Sequence, residues 1–356
     1  MKARIVIGAN YGDEGKGTIV AKYARDSRNV LNVLTNGGSQ RGHSILTDDG
    51  SITYQHFGSG TYYGADSYYS RFFILNPVHF AREHKTLIVK PKCIFRDKDC
   101  RWTTIYDMMA NHIQEELKKR HASCCAGIWN TVKRYHELPY LTFDQFTTCS
   151  ARKRLVYLSR IRKYYERNMT IPPDWTELWN SPFILAHFLE DCMYMARHTI
   201  TADLEDLRYD NLIFENGQGL LLCDTGEDTY DTTPSNTGIA DSLRLLEGLD
   251  AEEVTAHYVS RTYLTRHGDG PLINEANRTS ISSGVNEDRT NHYNEGQGKF
   301  RYGILDIENL HERVIKDAGG VSFKLELTHC DELDNVNDVK RVFGSDIVNV
   351  CDSPLV

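Results

Sequence analysis

Apolar and polar residues alternate along this chain in short blocks that are typical of buried strands separated by helices. Seven apolar runs predict strands, at Arg4–Gly8, Val30–Leu34, Phe72–Leu75, Thr86–Val89, Leu212–Glu215, His257–Thr262 and Ser322–Leu327. Helical spacing predicts helices at Ile105–Lys119, Pro182 to about Leu207, Asn236–Leu246 and Asp306–Ala318. The alternation predicts an α/β fold in a single large domain, residues 1–356, whose mainly parallel central sheet is flanked by helices.

Two stretches depart from this pattern. Residues 124–173 are rich in Tyr and Arg and weakly periodic, so we expect an insertion that lies over the sheet rather than a separate domain. Residues 276–300 are dense in Asn, Gly, Ser and Glu and nearly free of aliphatic side chains. Loops of this length in compact domains are usually lids or binding loops, so we expect a mobile substrate loop here.

The first predicted strand leads into a glycine-rich loop, Gly12–Thr18, and then into a segment of helical spacing. Backbone N–H groups in such a turn close around an anion at the positive end of the helix, and Lys16 adds a point charge suited to phosphate. The loop is P-loop-like, although its glycine and hydroxyl spacing differs from Walker A. Two acids inside a phosphate cradle, Asp13 and Glu14, indicate a metal ion or proton transfer rather than a plain turn capped by an aspartate.

Polar clusters also follow later strands, where the carboxyl ends of parallel strands form the ligand crevice of an open α/β sheet. Asn36–Ser44 contains His43, which can transfer a proton near neutral pH, although a surface turn with one histidine is the plain alternative. Phe214–Leu220 contains Gln218, whose amide both donates and accepts, as reading a purine edge requires.

Two further segments carry candidate anion sites. Thr229–Thr237 is crowded with hydroxyls beside a predicted helix start, where the alternative is simple capping by Ser235 or Asn236. Lys299 and Arg301 stand at the end of the expected substrate loop. Two cations two residues apart suit a dicarboxylate, and solvated surface charge is the alternative.

Composition narrows the class of protein. With 356 residues, 25% of them charged and 40% apolar, the chain resembles an ordinary globular enzyme. A formal net charge of -8 argues against non-specific nucleic-acid binding. Nine cysteines without a C-x-x-C pair indicate reduced thiols, and no apolar run reaches transmembrane length. We therefore expect a cytoplasmic protein that binds neither nucleic acid nor membrane.

Taken in order, these motifs resemble the adenylosuccinate synthetase family. The family sequences G-D-E-G-K-G, G-G-x-N-A-G-H, E-G-x-Q-G, T-R-x-G-x-G-P, T-T-G-R-x-R-R-x-G-W-x-D and T-K-x-D have counterparts at Gly12–Gly17, Gly37–His43, Glu215–Gly219, Thr265–Pro271, Thr290–Asp306 and Thr328–Asp331. The resemblance is collinear over nearly the whole chain. The first motif and its spacing to His43 are the specific part of it.

The resemblance implies a C–N bond-forming ligase that works in two steps with Mg²⁺. An acid at the Asp13 position takes the N1 proton of a 6-oxopurine nucleotide, and the purine O6 attacks the γ-phosphate of a nucleoside triphosphate. The amine of L-aspartate then displaces the phosphate at C6. His43, Lys16 and Gln218 complete the implied catalytic set, and the Gly42 carbonyl joins Asp13 as the implied Mg²⁺ ligand.

The resemblance also implies binding residues for each small-molecule substrate. It assigns the triphosphate to Gly12, Glu14, Gly15, Lys16, Gly17, Thr18, Gly42 and Ser44, and its base to His329 and Asp331. It assigns the purine nucleotide to Gln40, Ser123, Cys124, Arg134, Gln218, Thr232 and Thr233, and L-aspartate to Thr290, Lys299 and Arg301. Family members are usually homodimers in which a partner arginine reaches the nucleotide phosphate, and Arg134 is the nearest candidate for it here.

Departures from the family pattern bear on the choice of substrate. His329 replaces the lysine of T-K-x-D, which grips the guanine of GTP, so ATP or dATP is the expected donor. In the purine-phosphate motif, Ala126 occupies the arginine position, and Lys133 or Arg134 would have to supply the cation. In the aspartate loop, the arginine that opens the R-x-R pair falls on Gly298.

These changes resemble a phage-borne branch of the family, which makes 2-amino-2′-deoxyadenylosuccinate from dGMP. Retention of Asp13, which some members of that branch lack, favours the alternative of a conventional enzyme acting on IMP and GTP. The lost arginines favour a third reading, a non-catalytic nucleotide-binding protein, against which the intact Asp13, Lys16 and His43 weigh.

Overall fold

The computed structural model describes residues 1–47, 50–118, 123–223, 232–288 and 298–351. The strands in these ranges are β1 (Lys2–Gly8), β2 (Val30–Leu34), β3 (Gly37–Gly38), β4 (His43–Thr47), β5 (Gly50–Tyr54), β6 (Asp66–Tyr69), β7 (Phe73–Leu75), β8 (Ile94–Arg96), β9 (Arg101–Trp102), β10 (Ile200–Thr201), β11 (Asn211–Gly219), β12 (Glu253–Arg261), β13 (Leu264–His267), β14 (Phe300–Gly303), β15 (Phe323–Thr328) and β16 (Val348–Val350).

The helices are α1 (Lys16–Arg25), α2 (Pro77–Thr86), α3 (Ile105–Lys118), α4 (Ile128–Glu137), α5 (Phe143–Thr148), α6 (Ala151–Asn168), α7 (Thr176–Asn180), α8 (Pro182–His198), α9 (Ala240–Leu246), α10 (Arg278–Ile281), α11 (Ile307–Ala318) and α12 (Val336–Phe343). Short 3-10 helices lie at Ser59–Tyr63, Pro173–Trp175, Leu204–Asp206 and Leu220–Leu222.

A parallel sheet of nine strands forms the centre of the fold, in the order β10-β8-β6-β2-β11-β1-β12-β15-β16. Strand β1, next to the middle strand β11, buries Ile5, Val6 and Ile7 completely, on both faces. Continuous apolar runs of this kind are typical of parallel strands that helices cover from both sides. The predicted α/β class with a mainly parallel central sheet is confirmed.

Several predicted element bounds differ from the structure. Thr86–Val89 is not a strand: Thr86 ends α2, Leu87 packs against the core beside that helix, and Ile88 is 72% exposed. The helix expected to reach about Leu207 ends at His198, because Thr199 is extended and Ile200–Thr201 pairs with β8 at the edge of the sheet.

The stretch 124–173 is largely helical rather than irregular. It contains α4, α5 and α6, whose aromatic and aliphatic residues share a core with Trp102 of β9 and with α3. Tyr157, Leu158 and Ile161 of α6 are buried there. The weak periodicity follows from the many tyrosines and arginines on these helices, and the interpretation of this stretch as an insertion stays a prediction.

Candidate active site

The glycine-rich loop between β1 and α1 is closed from inside by its own side chains. The Glu14 carboxylate accepts hydrogen bonds from the main-chain N–H groups of Asn10 (3.1 Å) and Gly12 (2.7 Å). Lys16 donates to the Gly12 carbonyl (2.7 Å) and lies 3.6 Å from the other Glu14 oxygen. Both side chains are buried, and burial raises the pKa of Glu14 against the lowering effect of Lys16. The Glu14 side chain therefore braces the loop, and the assignment of Glu14 to the triphosphate stays a prediction.

Glycines permit the shape of this loop. Gly12 and Gly15 have φ of +107° and +96°, and Gly15 occupies the N-cap of α1, so Asp13 does not cap the helix. A Cβ at Gly17 would come within 2.6 Å of the Ser44 carbonyl, which shows how closely the loop approaches β4. The Ser44 hydroxyl is paired with that of Thr53 (2.8 Å). The loop, Gly17 and β4 are therefore brought together as predicted.

Asp13 stands at the mouth of this loop. Its carboxylate is 22% exposed and lies 3.8 Å from Nδ1 of His267, while its main-chain carbonyl accepts a 2.6 Å hydrogen bond from Nε of Arg261. The side chain is therefore open on one side, as a base or a metal ligand must be, and its main chain is fixed from behind.

His43 forms a buried pair with Glu215. Nδ1 of His43 donates to Oε1 of Glu215 at 2.5 Å, and the same carboxylate accepts from the Ser59 main chain (3.0 Å) and hydroxyl (2.7 Å). These donors hold the pKa of Glu215 well below its usual range despite its burial, so the carboxylate is ionised. Burial lowers the pKa of His43 to about 4. The second ring nitrogen of His43 is thus the group available to a ligand.

Two glutamines have buried side-chain oxygens without a hydrogen-bond donor in the described part of the chain. Among the described residues, Oε1 of Gln40 and Oε1 of Gln218 accept no hydrogen bond. Position 37 favours a glycine, because its φ is +72°, and a Cβ there would lie 3.1 Å from both Gln218 Oε1 and Gln40 Nε2. Gln218 itself has a φ of +56°. A buried polar atom without a partner is costly, so these amides indicate a site for a polar ligand.

The predicted purine-phosphate segment meets these glutamines. Cys124 Sγ contacts the Gln40 carbonyl (3.7 Å), and Gln40 Nε2 donates to Thr233 (3.4 Å). Ser123 is braced by Asn111, to which its hydroxyl donates (3.2 Å). Trp129 ties the segment to Thr232 by donating to that residue's carbonyl (3.1 Å). Gln40, Ser123, Cys124, Thr232 and Thr233 are therefore brought together.

Arg134 is not part of this site. Its guanidinium is buried and forms a two-point ion pair with Asp107 (2.8 and 2.9 Å), and it also donates to the Trp102 carbonyl (2.9 Å). It can therefore neither bind the nucleotide phosphate nor reach a partner subunit, and both expectations are corrected. Lys133, the other candidate on α4, is exposed.

At the helix start where a second anion site was expected, a carboxylate of the protein itself accepts a main-chain N–H group. The helix begins at Ala240 rather than Asn236, and neither Ser235 nor Asn236 caps it. The main-chain N–H of Ile239 donates instead to the carboxylate of Asp317 (3.1 Å). Residues 229–231 of the hydroxyl-rich stretch lie outside the described residues.

The structure describes two of the three candidate residues for binding L-aspartate. Thr290 lies outside the described residues, and Lys299 is exposed. Arg301 already holds the Glu275 carboxylate through two hydrogen bonds (2.8 and 2.7 Å) and donates to the carbonyls of Gly268 (2.7 Å) and Gly270 (2.8 Å). Four of its five N–H donors are therefore in use within the chain.

The base-reading segment follows β15. His329 has a φ of +57°, its ring meets Tyr263 edge-on at 6.0 Å, and its carbonyl accepts from Thr262 (2.9 Å). Burial lowers the pKa of His329 to about 3, so the imidazole is neutral near pH 7. Asp331 is exposed two residues further on. His329 and Asp331 therefore offer a neutral ring and a carboxylate, whereas the family pattern has a lysine and a carboxylate.

Comparison with known proteins identifies the family. The sequence profile described as Adenylosuccinate synthetase matches residues 5–347. The chain belongs to the adenylosuccinate synthetase family. Adenylosuccinate synthetases are C–N ligases, and similar curated members include those of Dehalococcoides mccartyi, 26% identical over 292 residues, and Microcystis aeruginosa, 24% identical over 284. These matches cover 77% and 76% of this chain but only 66% and 62% of the relatives' own length.

Two solved structures share the fold of this family member. The fully ligated adenylosuccinate synthetase of Plasmodium falciparum has a TM-score of 0.67 and 19% identity, covering 94% of this chain and 78% of that one. The succinoaminodeoxyadenylate synthetase of cyanophage S-2L has a TM-score of 0.66 and 12% identity, covering 98% and 91%. No helix in the described ranges has the length and hydropathy needed to cross a membrane.

Sequence reasoning missed several residues that build the candidate site of this family member. Glu215 orients His43 and Arg261 fixes Asp13, while Arg313 donates to the Ala9 carbonyl (2.9 Å) behind the loop. The glutamate of the E-G-x-Q-G motif was the one available signal for Glu215. No sequence signal pointed to Arg261 or Arg313, because their hydrogen-bond partners lie 248 and 304 residues away in the chain.

Proposed function

We propose that this protein joins L-aspartate to C6 of a 6-oxopurine nucleotide and uses a nucleoside triphosphate as the energy source. One observation carries the proposal: the part-exposed carboxylate of Asp13 shares its glycine-rich loop with the buried Lys16, and the same loop lies against the main chains of Gln218 and β4. His43, at the start of β4, pairs with Glu215, and Oε1 of Gln218 accepts no hydrogen bond among the described residues.

The residues support a balanced two-step reaction. Asp13 removes the N1 proton, and the O6 so activated forms a bond to the γ-phosphorus as the nucleoside diphosphate leaves. The amine of L-aspartate then forms the C6–N bond, and inorganic phosphate leaves with O6. Lys16 and His43 are the groups suited to stabilise charge on the transferred phosphoryl group. A triphosphate beside His43 would oppose the effect of burial on its pKa, because a nearby negative charge favours the imidazolium.

Magnesium fits the oxygen donors at the mouth of the loop. The Asp13 carboxylate is part-exposed and Gly42 is exposed, and oxygen donors are what Mg²⁺ prefers. In the described parts of the chain, no cluster of three or more His, Cys, Asp or Glu could hold a metal alone. This agrees with an ion that one carboxylate shares with substrate phosphates. When bound, Mg²⁺ would neutralise charge on the phosphates.

The choice of substrates is the finer part of the proposal. We propose dGMP as the acceptor and ATP or dATP as the donor, giving 2-amino-2′-deoxyadenylosuccinate for 2-aminoadenine DNA. The neutral His329 supports it, because an uncharged imidazole lacks both the positive charge and the long stem with which a lysine grips guanine. The replacement of the phosphate-site arginine by Ala126, buried in a small apolar cluster, adds support. The cyanophage protein with the same fold is described as bound to dGMP and to dATP as an energy donor.

A conventional reaction with IMP and GTP is the second candidate. It is supported by Asp13 and by the curated relatives, which carry the name adenylosuccinate synthetase. We further propose a homodimer in the cytoplasm, which mass measurement by light scattering tests for the assembly. Because Arg134 is buried, any cation that a partner adds must come from another position, and Lys133 is exposed on the same helix.

Coupled phosphate release tests these proposals. dGMP and IMP are each combined with ATP, dATP and GTP at fixed L-aspartate and Mg²⁺, and reactions without aspartate serve as controls. Aspartate-dependent release with dGMP and ATP or dATP supports the proposed substrates. Release confined to IMP and GTP supports the conventional enzyme. Nucleotide binding by calorimetry without release under any combination would contradict the ligase and support a binding protein.

A further inference from the structure

His267 has a ring in the candidate site that the proposed reaction has not yet used. The residue ends β13, and its Nδ1 lies 3.8 Å from the Asp13 carboxylate. Its side chain is 12% exposed, and its buried Nε2 has no hydrogen-bond partner among the residues that the structure describes. A buried polar atom without a partner is costly, so such a nitrogen beside a catalytic loop indicates a contact with a ligand.

The strand register directs this ring toward the proposed base. In the antiparallel pair of β13 and β14, His267 lies opposite Phe300, and their rings meet edge-on at 4.8 Å. Side chains alternate between the two faces of a strand pair, so Arg266 and Arg301, which oppose each other, lie on the other face. The two strands therefore bring an imidazole, and neither of these guanidinium groups, to the face that meets Asp13.

The proposed reaction requires L-aspartate close to Asp13, because its amine attacks C6, which is bonded to the N1 whose proton Asp13 removes. Arg301 has four of its five N–H donors in use, two of them on the Glu275 carboxylate, and Lys299 is exposed. A ring N–H of histidine donates a charge-assisted hydrogen bond to a carboxylate. Nε2 of His267 can therefore serve a carboxylate of L-aspartate without breaking a contact that the described chain already makes.

We propose that His267 binds L-aspartate through a hydrogen bond from Nε2 to one of its carboxylates, and so places the amine beside the Asp13 base. This inference rests on the proposed ligase activity and adds a binding residue to those that the family resemblance implies. The contact does not require Arg301 to release Glu275, so the two residues can be tested separately.

Steady-state kinetics of three variants at a single pH test the contact. His267→Leu removes both ring nitrogens, so the KM for L-aspartate should rise about 10- to 100-fold, while kcat and the nucleotide KM values change less than about threefold. His267→Gln should restore most of the affinity, because its amide nitrogen can take the position of Nε2. His267→Asn should not, because its shorter amide reaches only the position of Nδ1, on the side of Asp13.

His311→Leu is the matched control, because His311 of α11 meets Phe343 of α12 edge-on at 4.8 Å, the same ring distance as between His267 and Phe300. It should lower thermal stability and leave the KM for L-aspartate unchanged. If all three His267 variants behave in this way, the ring only packs on Phe300 and the proposal is overturned. Rescue of kcat by His267→Asn but not by His267→Gln would also overturn it, because His267 would then act on Asp13. The comparison of these two amides decides the question should His267→Leu fail to fold.

Calorimetric titration with L-aspartate separates this proposal from the ligase activity. The protein is first loaded with dGMP, ADP and Mg²⁺, or in a parallel series with IMP, GDP and Mg²⁺, so that binding is measured without a triphosphate and without turnover. The wild-type protein should bind L-aspartate, and His267→Leu should bind it about 10- to 100-fold more weakly. Equal affinity of the two proteins, or no binding by either, would overturn the contact even in an enzyme that releases phosphate. Weaker binding by His267→Leu, in a protein whose wild type releases no phosphate, would uphold the contact and contradict the ligase instead.

Discussion

Asp13 and Glu14 are neighbours in the chain with opposite environments. The buried Glu14 carboxylate accepts hydrogen bonds from the main chain of the loop, whereas the Asp13 carboxylate is 22% exposed and lies 3.8 Å from His267. Burial raises the pKa of Glu14, and the internal hydrogen bonds and Lys16 oppose that effect. The environment therefore divides two adjacent acids into one that holds the loop and one that can accept a proton.

Asp13→Asn should abolish most turnover and spare binding. An amide cannot take the N1 proton, so we expect kcat to fall by about 10²- to 10⁴-fold, the usual contribution of a positioned general base. Nucleotide affinity, measured by calorimetry without Mg²⁺, for which Asp13 is the proposed ligand, should change less than about threefold, because the loop is held by Glu14. Asp26→Asn, at the exposed end of α1, is the control and should leave both unchanged. Turnover within tenfold of wild type would contradict a base at this position.

Arg134→Met should affect stability rather than substrate binding. Without the guanidinium, Asp107 keeps a buried charge, so the free energy of unfolding in urea should fall by about 3–5 kcal/mol. The KM for the purine nucleotide should stay the same in the folded fraction. The double variant Arg134→Met/Asp107→Asn should recover part of the loss. A raised nucleotide KM with unchanged stability would show instead that Arg134 takes part in nucleotide binding.

At the level of secondary structure, the antiparallel pairing of β13 with β14 limits what Arg301 can bind. The antiparallel register places Arg266 opposite Arg301, two like charges that need separate partners. Arg266 donates to the Pro271 carbonyl (2.7 Å) and lies over the Tyr11 ring, while Arg301 takes Glu275. A substrate carboxylate and Glu275 would therefore compete for the same guanidinium.

Glu275→Gln should accordingly lower the KM for L-aspartate, by about three- to tenfold, because a neutral amide competes less well for a guanidinium than a carboxylate does. kcat and the nucleotide KM values should be unaffected. Glu308→Gln, in the first turn of α11, is the matched control. A higher KM for aspartate would show instead that Glu275 orients Arg301 for the substrate.

For the whole molecule, the parts that could be predicted from sequence are those in which local pattern and tertiary setting agree. Strands such as β1, with Ile5, Val6 and Ile7, contain continuous apolar runs because both faces of the sheet are covered, and the ligand loops follow from the direction of the strands. The helices of residues 128–168 were not predicted because their buried faces are not uniformly apolar. That of α4 includes Asn130 and Arg134, and that of α6 includes Tyr157 and Tyr165, whose side chains have both polar and apolar character.

The rest of the site depends on contacts between distant parts of the chain. Arg134 was a reasonable phosphate ligand until α3 supplied Asp107, 27 residues earlier. Glu215 serves His43 from 172 residues away, and Arg261 reaches Asp13 across 248. No local spacing encodes such pairs. Sequence therefore predicts the groups that face a ligand better than the groups that hold them in place.

Buried neutral histidines should make the whole molecule sensitive to mild acid. Nδ1 of His56 donates to the Tyr69 hydroxyl (3.0 Å), its Nε2 accepts from the Asn76 main chain (3.0 Å), and burial lowers its pKa well below 6.5. Below about pH 6.5 the His56 imidazole is protonated in the unfolded chain but stays neutral in the folded chain. The free energy of unfolding is therefore highest above that pH and falls as the pH is lowered below it. Each such histidine contributes about 1.4 kcal/mol per pH unit.

Urea unfolding between about pH 7.5 and 5 measures this slope. His56→Gln should be less stable at neutral pH, where it loses one of the two hydrogen bonds, and should show a slope smaller by about 1.4 kcal/mol per pH unit. His187→Gln, an exposed position on α8, should reproduce the wild-type slope. Because His56 lies away from the catalytic loop, a flatter slope in His56→Gln with unchanged KM values would locate acid sensitivity in the core under β4–β7. An unchanged slope would mean that His56 is already protonated in the folded protein.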